Sequence, residues 1–289
     1  MKKLWCAAIL LALFLPSAAH ATTPPPTRGL LITPLRAYVT VDPGKQKDGS
    51  FTVADLTDKP MDVTISYEQF SVADYTYNYQ FKPPTDTWIT FDKTQVQLKP
   101  GTSQEIHYTI SPPASAKPGG HYFTLLATTT ETAGAAPSQV RAALVMYATV
   151  SGDLQLTGQI VAQHIPWLAV GSEISFSLDV KDTGNTHYFA YTSGQLFGPT
   201  AKGEGQPTTH LLLPGAVRTI GSSIPAPLLP GIYKIAYGYR TDDGQIVQRS
   251  GFITYLPLWS LLIPPGVAFA VWWWRSRKKP TGPERRRYT

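Results

Sequence analysis

The tripeptide Asp182-Thr183-Gly184 has the residue types that carry the catalytic carboxylate of aspartic proteases. That chemistry needs two carboxylates that share one proton, each fixed in its own loop. The chain contains this tripeptide once, and it is followed by Asn185, not by a hydroxyl residue. Asp, Thr, Gly and Asn in succession are typical of a turn between strands. The sequence therefore predicts a turn here and no protease site.

Other patterns with catalytic potential are equally incomplete. Ser115 and Lys117 have the spacing of a Ser–Lys dyad, but they lie in the loop SPPASAKPGG, whose prolines preclude a rigid helical mount. The sequence has no nucleophile elbow, zinc-binding helix motif or glycine-rich phosphate loop. The histidines after the N-terminal segment stand singly, where a metal site needs a cluster: His107, His121, His164, His187 and His210. We predict a protein that is not an enzyme and binds no cofactor or metal.

Aromatic residues are a stronger indication of binding. Tyr75, Tyr77, Tyr79 and Phe81 recur at every second position, so in a strand all four would lie on one face. Such a face can stack on cell-wall sugars, since tyrosine combines contact area with a hydroxyl group. The alternative is that these rings form half of a sandwich core. Trp88 is also a candidate ligand contact, although a single tryptophan is more often a core residue.

The N-terminus has the pattern of a secretory signal peptide. Lys2 and Lys3 precede an apolar run from Leu4 to Leu15, and Ala19-His20-Ala21 is a small-x-small cleavage site. Cys6, the only cysteine of the chain, lies within that run. We predict cleavage after Ala21 and an exported protein that has no disulfide and depends on its hydrophobic core.

The C-terminal region is predicted to cross a membrane. Residues 256–274 carry no charge, a length sufficient for one helical span. The flanking residues suit a stop-transfer signal with a cytoplasmic tail: Trp272, Trp273, Trp274, Arg275, Arg277, Lys278 and Lys279. We expect Pro264 and Pro265 to kink this helix. The predicted location is the cell membrane, in a single-pass type I orientation with the body of the protein facing the wall.

This topology also explains the basic composition. The whole chain has a net charge of +6. Residues 275–289 contain seven basic residues and one acidic residue, or +6, and Lys2 and Lys3 add +2, so the remainder carries −2. The predicted body has no basic excess for the backbone of nucleic acid. We predict no nucleic-acid partner.

Short alternating runs separated by turn signals fill the body of the chain. In Ser103–Ile110, SQEIHYTI, polar and apolar residues alternate as in a half-buried strand, and Asp243-Gly244 is a strong hairpin signal. We predict an all-β fold of two tandem Ig-like antiparallel β-sandwiches followed by a single transmembrane α-helix. The predicted segments are a signal peptide at 1–21, a Pro-rich leader at 22–28, sandwiches at 29–151 and 152–255, a membrane helix at 256–274 and a basic tail at 275–289.

The first predicted sandwich contains a V-x-P-G opening in VDPG, the run FTVADLTDKPMDV, LKPG before a strand, and PGGHY before the next. In these elements it resembles the N-terminal domain of WxL-interacting proteins. In the second half, DTGNTHYF and LLLPGAVRTI resemble the family's other domain. The predicted order of segments is also that of the family. One departure is ADYTYNYQF, which stands where the family has an Asn/Thr-rich stretch.

The resemblance implies a membrane-anchored surface scaffold without enzymatic activity. Its first domain would contact peptidoglycan, and its second would bind a secreted surface protein. The candidate ligand contacts in this chain, Tyr75, Tyr77, Tyr79 and Trp88, come from the aromatic pattern described above and not from the family. His187 and Tyr188, at the predicted start of a strand, are candidates for that partner contact.

Two other functions fit the same pattern of strands. Pilus chaperones also have two Ig-like domains and hold secreted subunits by adding a strand at an open sheet edge. They carry a basic anchoring residue between the domains, for which Arg36 and Arg141 are candidates. A receptor subunit is the third alternative. It would have to signal through a membrane partner, because the predicted cytoplasmic tail has only fifteen residues, 275–289.

Overall fold

The computed structural model describes residues 29–131, 138–201 and 203–277. The described chain is mostly β-structure, which confirms the all-β prediction. The predicted signal peptide and Pro-rich leader lie outside the described residues, as do Lys278 and Lys279.

Ten strands precede residue 151. They are β1 Leu30–Thr33, β2 Arg36–Val41, β3 Lys47–Asp55, β4 Met61–Val72, β5 Tyr79–Lys82, β6 Ile89–Phe91, β7 Gln95–Leu98, β8 Ser103–Ile110, β9 Gly119–Glu131 and β10 Ser138–Val150.

These strands form a first sandwich of two sheets. One sheet has the order β1-β3-β8-β6, and the other has the order β2-β10-β9-β4-β5, with β7 also paired to β4. Alternation along β8 turns Ile106, Tyr108 and Ile110 inward, as the sequence predicts for a half-buried strand. They pack in a core with Phe123 and Leu144 from the facing sheet.

Eight strands follow residue 157. They are β11 Gly158–His164, β12 Leu168–Ala169, β13 Glu173–Asp182, β14 Tyr188–Phe197, β15 Thr208–Leu212, β16 Val217–Pro225, β17 Gly231–Arg240 and β18 Ile246–Tyr255.

The second group of strands also forms a sandwich. Its sheets have the orders β11-β13-β16 and β12-β18-β17-β14-β15. The core between them contains Phe176, Tyr188 and Tyr237, and it shares no residue with the first core. The sequence position predicted to divide the two sandwiches, residue 151, lies between β10 and β11.

The C-terminal segment differs from the prediction of one helix over 256–274. A 3₁₀ helix, Leu258–Leu262, leads into one α-helix, α1, at Ile263–Arg277. Pro264 and Pro265, expected in the middle of a helix, lie in the first turn of α1, where a helix needs no N–H donor from them. Within the part of the chain that the structure describes, no helix has both the length and the apolar character required to cross a membrane.

Candidate functional site

The first candidate site is an open edge on strand β10. One side of β10 pairs with β9 along its whole length, from Ser138 to Val150. The other side pairs with β2 only from Val145 to Val150. Over residues 138–144, no strand among the described residues covers this second side. We call residues 138–144 the open edge.

The direction of the backbone groups at the open edge follows from the first covered residue. The Val145 N–H donates to the Leu35 carbonyl on the β2 side, at 2.9 Å. Backbone groups of alternate residues in a strand point to the same side. The N–H and C=O groups of Gln139, Arg141 and Ala143 therefore point toward the uncovered side.

The side chains at the open edge offer little protection against a further strand. Leu144 is fully buried and Ala142 packs against the same core, so core packing fixes the position of this strand. Arg141 is half exposed and lies 3.5 Å from the Glu68 carboxylate. Edge strands are normally blocked by several charges, a proline or a bulge. Here one paired arginine is the only charged residue in the seven-residue stretch.

The structure brings together the two arginines that the sequence singled out for the chaperone-like alternative. Arg141 lies within the open edge, and Arg36 begins β2 directly opposite Val145, where the edge becomes covered. Both side chains are exposed. The sequence alone contained no signal for this proximity, because the two residues are more than one hundred positions apart.

A second candidate site is a row of aromatic rings on the outer face of the same sheet. One ring comes from each of five adjacent strands: Tyr38, Tyr147, Tyr122, Phe70 and Phe81. We call these five residues the aromatic row. The Tyr38 and Tyr147 rings are stacked with centroids 5.1 Å apart.

The second sandwich covers the middle of the aromatic row. Leu213 is buried against Phe70 and Tyr147, while Tyr38 and Phe81 at the two ends remain half exposed. The row therefore serves partly as a packing surface between the two sandwiches, and only its ends are accessible to a ligand.

The structure corrects the prediction that Tyr75, Tyr77, Tyr79 and Phe81 share one strand face. Only Tyr79 and Phe81 belong to β5, and the preceding residues form the loop between β4 and β5. Tyr75 and Tyr77 have φ values of 62° and 57°, in the left-handed region that a strand does not use. The loop closes through hydrogen bonds from the Ala73 N–H to the Asn78 carbonyl and from the Tyr77 N–H to the Ala73 carbonyl.

This loop fastens the first sandwich to the second. The Tyr77 hydroxyl accepts a hydrogen bond from the Leu213 N–H at 2.6 Å, and the Arg218 guanidinium lies 4.5 Å from the centre of the Tyr77 ring. The Asp74 carboxylate accepts from the Val217 N–H at 2.8 Å, and the Tyr75 N–H donates to the Val217 carbonyl. Tyr77 is thus an anchor between the sandwiches, while the Tyr75 ring remains exposed.

Replacing Tyr77 with phenylalanine should lower the free energy of unfolding by about 1–3 kcal/mol, because the buried Leu213 N–H loses its acceptor. Urea denaturation of the full chain measures this loss. Tyr79→Phe is the matched control, since the Tyr79 hydroxyl pairs with that of Tyr147 at 3.1 Å and its side chain is 41% exposed. Equal losses in the two variants would show that the Tyr77 hydroxyl is not an anchor.

The segment from Asp182 to His187 forms a second contact between the two sandwiches. It is a turn, as predicted, and the Asp182 carboxylate accepts from the Gly184 N–H at 2.8 Å. The Asn185 carbonyl accepts from the Gly120 N–H of the first sandwich, at 2.8 Å, and the Asn185 side chain donates to the Asp153 carbonyl. Asn185, which directly follows the apparent protease motif, therefore contacts the first sandwich.

Two titratable groups of this turn, Asp182 and His187, are largely buried. Burial raises the pKa of the Asp182 carboxyl to about 7, although the hydrogen bond from Gly184 opposes the shift. The second carboxylate oxygen of Asp182 is buried, and none of the described residues gives it a hydrogen bond. Burial also lowers the pKa of His187 to about 4, against the opposing charge of Asp242. We therefore expect the stability of this contact to depend on pH.

Comparison with known proteins shows weak similarity of fold. No protein-family model matches the chain, and no curated protein matches it. A class 5 fimbriae chaperone, CfaA, aligns with a TM-score of 0.44 and 10% identity, over 80% of this chain and 100% of that chain. The CsuC–CsuE chaperone–adhesion subunit complex of Acinetobacter baumannii gives a TM-score of 0.37 and 12% identity, over 66% and 89%. The CupB2 chaperone of Pseudomonas aeruginosa gives a TM-score of 0.36 and 10% identity, over 76% and 98%.

At this level of similarity the matches concern the fold, and no functional conclusion about this chain follows from them. The resemblance to WxL-interacting proteins is not tested by these comparisons and stays a prediction.

The remaining predicted site residues lie in different surroundings. Trp88 is buried in the first core, with its ring 4.3 Å from that of His121, and does not form part of a binding surface. His187 lies among the rings of Tyr38, Tyr122 and Tyr147. Tyr188 is buried in the second core, so it is not available to a partner at the surface.

The predicted membrane-flanking residues belong to the end of α1. Trp272, Trp273, Trp274, Arg275 and Arg277 are all exposed, and the Arg277 guanidinium lies 3.5 Å from the centre of the Trp273 ring. No group of three His, Cys, Asp or Glu residues suited to a metal ion occurs in residues 29–131, 138–201 and 203–277.

Proposed function

We propose that this protein binds a second protein by taking one of its strands onto the open edge of β10. The observation that supports this function is the unequal pairing of β10, whose β9 side is covered along thirteen residues and whose β2 side is covered along six. The proposal corresponds to the chaperone-like alternative, in which the partner is a secreted subunit. Two Ig-like sandwiches are part of that proposal.

The dimensions of the open edge suit one incoming strand. Seven residues extend about 23 Å, the length of an ordinary strand in a globular protein. The backbone groups of Gln139, Arg141 and Ala143 would supply hydrogen bonds that do not depend on the partner's sequence. Affinity would come from this ladder, and specificity from the side chains that alternate along the incoming strand.

The surroundings of the edge define which partner strands fit. Core-facing side chains of an added strand would lie next to Ala142 and Leu144, so small or branched apolar residues are required there. Its outward-facing side chains would lie near Arg141 and Glu68, which favours polar residues. We therefore expect a partner segment with strict alternation of apolar and polar residues.

The membrane-anchored scaffold that binds peptidoglycan stays a prediction. The structure changes which aromatic rings could contact peptidoglycan. The exposed rings on this face are Tyr38, Tyr79 and Phe81, and they are not a run of successive tyrosines on one strand. The open edge is the more specific feature, because its backbone groups are unpaired among the described residues and only one charged side chain in the stretch opposes a further strand.

The substitution Ala143→Pro tests the proposal. The Ala143 N–H points away from β9, so proline removes a donor from the open edge and leaves the pairing with β9 intact. We expect partner affinity to fall at least about tenfold, since a lost hydrogen bond and the bulk of the ring both act at the contact. Ala143→Ser, which keeps the N–H, is the matched control and should bind as the wild type does.

The partner is first identified by photocrosslinking in the cells that produce the protein. A benzophenone amino acid in place of Gln139 should yield one crosslinked protein, and the same group in place of Glu105, an exposed residue of β8, should not. In the purified complex, hydrogen exchange should slow at the amides of residues 139, 141 and 143. Unchanged affinity of Ala143→Pro, or protection at a different sheet edge, would contradict strand addition at β10.

A further inference from the structure

One end of the second sandwich carries an unusual concentration of exposed apolar side chains. Trp167 is 78% exposed, and Ile232 and Phe252 are each 73% exposed. The full set, which we call the basal apolar surface, is Trp167, Leu228, Ile232, Phe252, Leu258 and Trp259.

Strand pairing places these residues at the same end of the sandwich. Ile232, near the start of β17, pairs with Thr254 near the end of β18. The Thr254 N–H donates to the Trp167 carbonyl, and β12 continues beside the end of β18. Leu258 and Trp259 follow β18 directly, in the 3₁₀ helix. Their proximity is therefore fixed by the backbone.

The exposed face of an antiparallel sheet is normally polar. Contiguous large apolar side chains at a surface usually mark an interaction site. The opposite end of the same sheet is more polar, since Arg240 and Gln248 point outward there and Ile246 is its one large exposed apolar side chain among the described residues. The basal apolar surface thus suits a partner that accepts apolar groups.

Helix α1 extends this apolar character beyond the sandwich. None of its residues is buried, and Val267, Phe269 and Val271 are all exposed. A helix that is apolar on all sides is stable where it is surrounded by protein or by lipid. Because α1 begins eight residues after Tyr255, the helix and the basal apolar surface lie next to each other.

The charges beside these apolar groups suit an anionic lipid surface. Arg275 and Arg277 lie in the last turn of α1, and residues 275–289 carry a net charge of +6. Lys234 pairs across the strands with Phe252, so one exposed cation accompanies the apolar ring. Tryptophan next to basic residues is typical of the boundary between acyl chains and headgroups.

We propose that the basal apolar surface rests on a lipid bilayer that contains anionic lipids, with α1 embedded beside it. The second sandwich itself then contacts the lipid, through Trp167, Ile232 and Phe252. This contact is independent of the strand addition proposed for β10, which involves the other sandwich. It orients the second sandwich with its β17–β18 hairpin turn away from the bilayer.

Spin labels on the full chain test this contact. Because Cys6 is the only cysteine, a Cys6→Ser background allows single labels at positions 232, 252 and 246. Ile246 is the matched control, since it lies on the same strand and face as Phe252, is 71% exposed and is about 20 Å away. The protein is reconstituted in vesicles of phosphatidylcholine with a minor share of phosphatidylglycerol.

We expect the labels at 232 and 252 to be accessible to oxygen and shielded from a water-soluble nickel complex, and the label at 246 to show the reverse. If all three labels are equally accessible to the nickel complex while the tryptophan emission of the chain shifts to the blue, α1 inserts alone and the proposal fails. If spin–spin broadening appears at 252, a second copy covers the surface, which also overturns it.

A double substitution, Ile232→Ser with Phe252→Ser, provides a second measurement. Both side chains are exposed, so the fold should tolerate the change. Partition into the same vesicles should fall by about tenfold, because apolar area is lost from the contact. Ile246→Ser should leave partition unchanged. An unchanged partition of the double variant would contradict contact between the sandwich and the lipid.

Discussion

The Asp182→Asn variant is expected to be more stable than the wild type at pH 8, by on the order of 4 kcal/mol from a pKa shift of about three units. The Asp182 carboxyl is fully buried, and in the described residues no cation pairs with it. Its ionised form is therefore costly in the folded protein. Asparagine keeps an oxygen that accepts from the Gly184 N–H and carries no charge.

The sign of this effect follows from proton binding. The folded carboxyl has a pKa of about 7, and the unfolded one has the ordinary value of 3.8. Between these two values the folded state holds a proton that the unfolded state has released, so stability decreases as pH rises from about 4 to 7 and is then constant. In Asp182→Asn this decrease should be absent.

His187 acts in the opposite direction over nearly the same pH range. Its folded pKa of about 4 lies below the ordinary 6.5, so the unfolded state takes up a proton first as pH falls. The contribution of His187 to the free energy of unfolding therefore decreases as pH falls from 6.5 to 4. The two slopes offset each other in the wild type, whereas Asp182→Asn should show a free energy of unfolding that rises with pH over this range.

Asp179 provides a matched control on the same strand, β13. It is also buried, but hydrogen bonds from Thr219 and His164 outweigh the effect of burial and lower its pKa. Asp179→Asn should therefore lose stability at neutral pH. Urea denaturation of the wild type, Asp182→Asn and Asp179→Asn at several pH values measures the free energy of unfolding of each protein as a function of pH. If Asp182→Asn and Asp179→Asn shift stability in the same direction at pH 8, Asp182 is not an uncompensated buried carboxyl.

A large loss of stability is expected for the substitution Gly184→Ala. A Cβ at this position would lie 2.0 Å from the Gln155 carbonyl oxygen and 3.1 Å from the Thr157 nitrogen, both backbone atoms. The same Gln155 carbonyl accepts a hydrogen bond from the Asn185 N–H, so it is not free to withdraw. We expect the free energy of unfolding to fall by about 2–4 kcal/mol, as for other overpacked buried sites.

Gly266→Ala is the control for this substitution. No atom lies within 4 Å of the Cβ that it would add, and the residue lies in α1. Alanine is favoured over glycine in a helix by about 1 kcal/mol, so stability should stay equal or rise slightly. Thermal unfolding of the two variants tests the difference. A Gly184→Ala protein as stable as the wild type would show that the turn is not packed against residues 155–157.

Much of the secondary structure is local and was predictable. The alternation in SQEIHYTI predicts β8, and Asp243-Gly244 predicts the hairpin turn between β17 and β18. The turn at Asp182–Asn185 follows from its composition alone. These features depend on steric and hydrogen-bonding preferences of a few adjacent residues, which any surroundings would leave in place.

The misassigned segments are those in which contacts with distant residues overrode the local pattern. Tyr75 and Tyr77 alternate as strand residues do, but they take left-handed conformations in a loop whose Tyr77 hydroxyl pairs with Leu213. Trp167 is a single tryptophan, and such residues are more often in a core. It is nevertheless 78% exposed and directly precedes a two-residue strand at the end of the sheet.

The sequence by itself determined that the chain forms many short strands joined by Gly, Pro and Asp turns, because alternation and turn chemistry act between neighbouring residues. Only the tertiary structure decided which strand edges are covered. The open edge at 138–144 exists because β2 pairs with β10 from Arg36 onward, between residues more than one hundred positions apart. A pairing register of this kind is set by the packing of a whole sheet, so no local pattern can encode it.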